Sequence, residues 1–228
     1  MSIKDLLFPK FCLGCGYIGT YICSRCASSL EYVKDDICLY CQHSSLFGFT
    51  HPVCQKKYGL DGILSIFSYN NLMKKIIKNI KYRLATEVLR ELESVVKPEM
   101  LSKILFYKKI KYRFYLQPIP LHLRRLRDRG FNQALLLAQF FNRYLDFDEK
   151  DILIRKKETL SQATMKETKD RYFNMLGAFA LRQGESVSGK NFILIDDVAT
   201  TGATIKEAAK ILKKNGANKV FALTLAKG

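Results

Sequence analysis

Two adjacent carboxylates close an apolar run in FILIDDVATTGAT, Phe192 to Thr204, and small hydroxyl residues follow them into a predicted helix. Neighbouring residues at a strand end can point in different directions. Asp196 and Asp197 can therefore accept hydrogen bonds from two sugar hydroxyls and help place a hydrated magnesium ion without stacking both charges. Ala199, Thr200, Thr201, Gly202, Ala203 and Thr204 then offer backbone N–H groups, a tight turn and three hydroxyls at a helix N-terminus. Unpaired donors and the helix dipole favour a phosphate there. The run lacks a GK[ST] ending, which argues against a nucleoside-triphosphate P-loop.

A second constellation, PIPLHLRRLRDRGFNQA, places His122, Arg124, Arg125, Arg127 and Arg129 within eight residues after an apolar strand end. Guanidinium groups bind phosphate oxygens through two parallel hydrogen bonds, so such a loop beside a phosphate site suits a pyrophosphate. A strand of DNA is the other polyanion it could contact. The third constellation is metal-like. Cys12 and Cys15, Cys23 and Cys26, Cys38 and Cys41, and His51 and Cys54 form four pairs, each with a two-residue gap. That gap lets both members of a pair reach one ion, and eight ligands suffice for two tetrahedral zinc sites. Consecutive pairs could share an ion, alternate pairs could, or a single zinc could leave cysteines unused. All seven cysteines lie between residues 12 and 54, a clustering that suits structural metal rather than disulfides. His43 falls outside the spacing and reads as a surface residue.

These groups need elements to position them. GILSIFSY from Gly62 reads as a strand, and LMKKIIKNIKYRL as a helix with apolar positions 72, 73, 76, 77 and 80. FYLQPIP then reads as a strand, followed by the basic loop and a helix from Asn132 to Leu145 with Ala134, Leu137, Ala138, Phe141 and Leu145 inward. FILI, the loop DVATTGA, and a helix burying Ile205, Ala208, Ala209 and Leu212 come next; Asn215-Gly216 stops that helix and VFALTLA is a last strand. Alternating strands and helices imply an α/β fold with a mostly parallel sheet and helices on both faces. Ligands in such sheets bind beyond the carboxyl ends of the strands, where both distinctive loops fall. Residues 1–60 read as a small Cys-rich module and residues 61–228 as the α/β domain.

FILIDDVATTGAT resembles the signature with which type I phosphoribosyltransferases bind phosphoribosyl pyrophosphate (PRPP). By that resemblance Asp196 and Asp197 hold the ribose, and Thr200 to Thr204 the 5′-phosphate. The cysteine pairs, the helix YNNLMKKIIKNIKY, RGFNQA, and the pattern Thr159, Gln162, Arg171, Asn174, Gly177 and Phe179 extend the likeness over nearly the whole chain to the ComF family of bacterial competence proteins. The family pattern commonly has cysteine where His51 stands. The resemblance implies a phosphoribosyltransferase-type fold preceded by a zinc module, magnesium with PRPP, and handling of incoming single-stranded DNA beside other proteins of the uptake machinery. It leaves open whether PRPP is consumed. A working transferase, joining a nucleobase or amine to ribose 5-phosphate, is the alternative.

Composition agrees with polyanionic partners: 38 Lys and Arg against 21 Asp and Glu give a net charge of +17. Nine Lys or Arg and one acid lie between Lys103 and Arg129, interleaved with Phe106, Tyr107, Tyr112, Phe114 and Tyr115; Lys74, Lys75, Lys78, Lys81 and Arg83 make a second basic cluster. Bases with aromatics suit single-stranded DNA, although Phe114 and Tyr115 enter a predicted core strand and read more as packing than as a stacking platform. The segment Lys156 to Phe179 reads as a mobile loop. No apolar run approaches the roughly 18 residues of a membrane span, and the start lacks a secretory layout, so a cytoplasmic protein is expected.

Overall fold

A computed structural model describes residues 9–82, 85–159 and 168–228. Arg83, Gln162 and the middle of the segment 156–179 lie outside them. Five parallel strands make the central sheet, in the order β1 (Gly62–Ser68), β7 (Val220–Lys227), β6 (Asn191–Ala199), β2 (Phe114–Pro118) and β3 (Asp148–Glu149). Its central strands are apolar on both sides because both faces are covered. Ile193 and Ile195 of β6 join Leu116 and Leu223 on one face, under α2 (Asn71–Ile80), α3 (Ala85–Glu93), α4 (Pro98–Lys109) and α6 (Gln133–Leu145). Phe192 and Leu194 join Val220 and Ala222 on the other, under Ile205, Ala208 and Leu212 of α8 (Ala203–Lys214). A two-stranded antiparallel ribbon, β4 (Leu153–Arg155) with β5 (Phe179–Leu181), packs on that second face; α7 (Thr168–Met175) lies between its strands in sequence.

Local signals explain the elements beside the loops. Asn132 caps α6 by accepting from the Ala134 N–H at 3.1 Å. The basic segment is not a loop: it forms α5 (Leu123–Arg129), capped by His122 and ended by Gly130 at φ 81°. β6 does not stop at the carboxylates but runs on to Ala199, because β7 pairs with it through Asp196–Thr224 and Ala199–Lys227. What remains of the expected loop DVATTGA is the turn Thr200 to Gly202.

Residues 9–60 carry one short α-helix, α1 (Ser24–Ser28), and two single 3-10 turns, Leu46–Gly48 and Pro52–Cys54, and otherwise wrap the domain. Ile22 and Leu30 enter the first core and Leu39 and Leu60 the second. Glu91 of α3 fixes this wrapping, accepting from the Thr20 hydroxyl at 2.6 Å and the Tyr21 and Ile22 N–H groups at 2.7 and 2.9 Å.

Candidate functional site

At the carboxyl end of β6, Asp196 and Asp197 are 9 % and 7 % exposed. The Asp197 N–H donates to the Asp196 carboxylate at 2.8 Å. Asp197 also receives Lys81, which caps the end of α2, at 2.8 Å and the Gln133 amide at 3.2 Å. Arg129 in turn donates to Gln133. Among the described residues Asp196 has no such direct cation. Burial, and then the charge of Asp197, push it from 3.8 up to about 7. A buried carboxylate this reluctant to ionise suits a site where a cation arrives with the ligand. The donor set thus fits hydrated magnesium beside a sugar.

Gly202 turns the chain into α8 at φ 69°. Its lack of a side chain matters twice: the left-handed conformation favours glycine, and a Cβ would meet the Leu39 Cδ2 at 2.7 Å. Leu39 lies between Cys38 and Cys41, so the Cys-rich segment forms one wall of this turn. Lys206, one turn into α8, donates to the Thr201 carbonyl at 3.0 Å and lies over the Tyr40 ring. Burial, then nearby Lys56, lower its pKa. Thr200, Thr201, Ala203 and Thr204 surround the turn as the sequence suggested, with Ala199 buried beneath them.

The basic helix α5 contributes unequally. Arg125 donates to the Thr159 carbonyl at 2.7 Å, and Arg129 reaches the carboxylates through Gln133. Arg124 faces outward to Glu158 at 3.2 Å, and Arg127 is exposed. His122 accepts from the Arg124 N–H at 3.4 Å, which leaves it a capping role. Sequence reasoning missed Arg155. It ends β4, donates to the Thr159 hydroxyl, lies against the Phe179 ring and near Asp196, and its buried Nε has no hydrogen-bond partner among the described residues. Burial, then neighbouring Arg125, lower its pKa to about 10. Gln133 and the inward turn of Lys81 were missed too. The one signal was a charge closing the apolar run Ile152-Leu153-Ile154, a place where a guanidinium stays only if something nearby needs it.

The metal-like pairs come together consecutively. The ligand atoms of Cys12, Cys15, Cys23 and Cys26 lie within 4.8 Å of one another, as do those of Cys38, Cys41, His51 and Cys54. Four soft donors at that spacing fit a closed tetrahedral zinc site. Despite burial, backbone N–H donors from Cys23, Cys15 and Gly14 bring Cys12 down to about 6, while burial pushes Cys26 up to about 12. Gly14 allows this packing, since a Cβ there would meet the Cys26 Sγ at 2.5 Å. His43 is exposed. Of the aromatics expected on a nucleic-acid surface, Tyr107 and Phe114 are fully buried and Phe106 stacks on Phe47. Lys74, Lys75 and Lys78 are exposed.

Residues 132–228 match the model of the phosphoribosyl transferase domain. Over 221 residues the chain is 31 % identical to the competence protein ComFC of Bacillus subtilis, covering 90 % of this chain and 83 % of that one. The ComFC of Streptococcus pneumoniae is 30 % identical, with 90 % and 87 % covered, and the DNA utilization protein YhgH of Escherichia coli K12 is 27 % identical, with 86 % of each covered. No helix among the described residues is long and apolar enough to cross a membrane. With likeness of this extent running from the cysteine pairs through the carboxylate turn, the chain belongs to the ComF family of competence proteins.

Proposed function

We propose that this protein binds PRPP with magnesium beyond the carboxyl edge of its sheet, and single-stranded DNA on its basic surface, in the cytoplasmic handling of incoming DNA. The observation that carries the first half is the buried pair Asp196 and Asp197, continuous with the Gly202 turn and the N-terminus of α8. The 5′-phosphate takes the donors of Thr200 to Thr204, and the ribose hydroxyls take the two carboxylates. The pyrophosphate takes Arg125, Arg129 and Arg155; burial lowers the pKa of the last two, and the buried Arg155 Nε has no hydrogen-bond partner among the described residues. Magnesium, when bound, supplies positive charge among the phosphates, and Asp196 with Asp197 would hold it. Zinc in the two ligand sets is structural, since four protein ligands leave no open position. The names of the relatives, competence and DNA utilization proteins, support the second half.

Titration calorimetry with PRPP, ribose 5-phosphate and pyrophosphate, each with magnesium, tests the ligand. PRPP should bind at least about tenfold more tightly than either fragment, because it engages both poles of the site; a tenfold gain is about 1.4 kcal/mol. Equal affinities for PRPP and ribose 5-phosphate would remove the arginines from the proposal. Pyrophosphate release from PRPP with an offered nucleobase or amine would turn the assignment to the transferase.

A further inference from the structure

The stretch with alternating bases and aromatics spends Tyr107 and Phe114 on the core and leaves Tyr112 exposed, and another face holds lysines and tyrosines together. Along α8, Lys206, Lys210 and Lys214 follow at intervals of four residues and form one stripe, about 12 Å long. The loop after Cys54 lies against it. Lys56 and Lys206 lie over the Tyr40 ring at 5.4 and 5.2 Å, and Lys57 and Lys214 over the Tyr58 ring at 5.4 and 5.8 Å. Of these lysines only Lys210 has a carboxylate, Glu207 at 3.5 Å, while Lys213 and Lys219 beside them share Asp61. Among the described residues, Lys56, Lys57, Lys206 and Lys214 form no salt bridge.

We infer that this strip, from Lys206 through Lys56 and Lys57 to Lys214, is the track on which the backbone of single-stranded DNA lies. The inference rests on the DNA-binding reading above and gives it a place. Four like charges gathered on two rings repel one another, and ring faces compensate ammonium groups only weakly. A chain of phosphates at successive positions relieves that repulsion along the whole stripe, whereas a small anion relieves it at one point. Tyr40 is half-buried, and Tyr58, 36 % exposed, carries Lys57 and Lys214 over its ring, so both rings fix lysine heads, which favours a polyanion over a lipid surface. A flexible single strand can follow the bend from the Cys54 loop onto the helix. The strip also starts at the phosphate turn, because Lys206 holds the Thr201 carbonyl. DNA and the phosphoribosyl ligand therefore occupy adjoining ends of α8.

The test compares two zinc-loaded variants with equal charge change: K56E/K57E/K214E on the strip, and K74E/K75E/K78E on the exposed side of α2. Affinity for a fluorescent oligothymidylate is read by anisotropy at several salt concentrations, with the thermal shift by magnesium PRPP as the folding control, since none of the six residues belongs to that site. The strip variant should lose at least about tenfold in affinity and lower the slope of log K against log salt by about two, at roughly 0.7 per phosphate contact. The α2 variant should change affinity less than about threefold. Equal losses in both variants, or none on the strip, overturn the inference. Equal affinity for duplex, or strip-dependent binding to phosphatidylserine vesicles without oligonucleotide binding, overturns it as well. A wild type that ignores both oligonucleotide and vesicles defeats the DNA reading itself.

Discussion

Asp196 is the residue whose environment asks most for a ligand. Its pKa is raised in the folded chain, so folding favours its protonated form. That contribution to stability is fully present below about pH 4 and is lost as the pH rises through about 7. Asp196→Asn removes the ionisation, so the unliganded variant should gain on the wild type as the pH rises from 5 to 8. The gain should reach about 1 kcal/mol or more, the worth of roughly one pKa unit. Denaturant melts at several pH values measure it, and a difference that does not grow with pH would show that Asp196 is not held against its charge. At this scale the sequence was readable where chemistry sits in consecutive residues: the two aspartates, the threonines and Gly202 are one run. Arg155, Gln133 and the inward Lys81 were not, because Gln133 and Lys81 reach Asp197, and Arg155 comes near Asp196, from other elements that only the fold brings together.

Elements were legible where an apolar period or a cap announced them, as in α6 and β7. They were misread where polar residues obscured the backbone. LHLRRLRDRG lacks a buried face, so its helix rests on good helix formers between a cap and Gly130. β6 is carried past two aspartates by its neighbour. The attachment of the Cys-rich segment was also hidden, since a lone glutamate on α3 says nothing of three donors some 70 positions earlier. Removing that acceptor orphans the Tyr21 N–H and leaves the Ile22 N–H only the Thr20 hydroxyl at 3.3 Å, so Glu91→Ala should lower stability by about 1–3 kcal/mol. It should also speed zinc release from the site of Cys12, Cys15, Cys23 and Cys26, followed with a colorimetric chelator, relative to the other site. Uniform release from both sites would mean that Glu91 does not anchor the first one.

The whole molecule couples three things that sequence reading kept apart. The second ligand set bears Leu39 and Tyr40, which wall the Gly202 turn; the turn opens α8; and α8 carries the lysine stripe. The net charge of +17 was plain from composition, but its placement was not, since bases count equally in a sequence whether they face a carboxylate, a ring or water. The ligand reading depends on the carboxylates and the Gly202 turn at the carboxyl edge being a phosphoribosyl site. Thermal unfolding of the zinc-loaded protein with and without magnesium PRPP, on the wild type and on D196N/D197N, tests that most directly. Ligand at about 100 times its dissociation constant stabilises a native state by roughly 2.7 kcal/mol, a rise of about 5–10 °C for a chain of this size. The wild type should show that rise and the double variant should not. A folded wild type that does not shift at millimolar PRPP, or a double variant that shifts equally, would contradict the account.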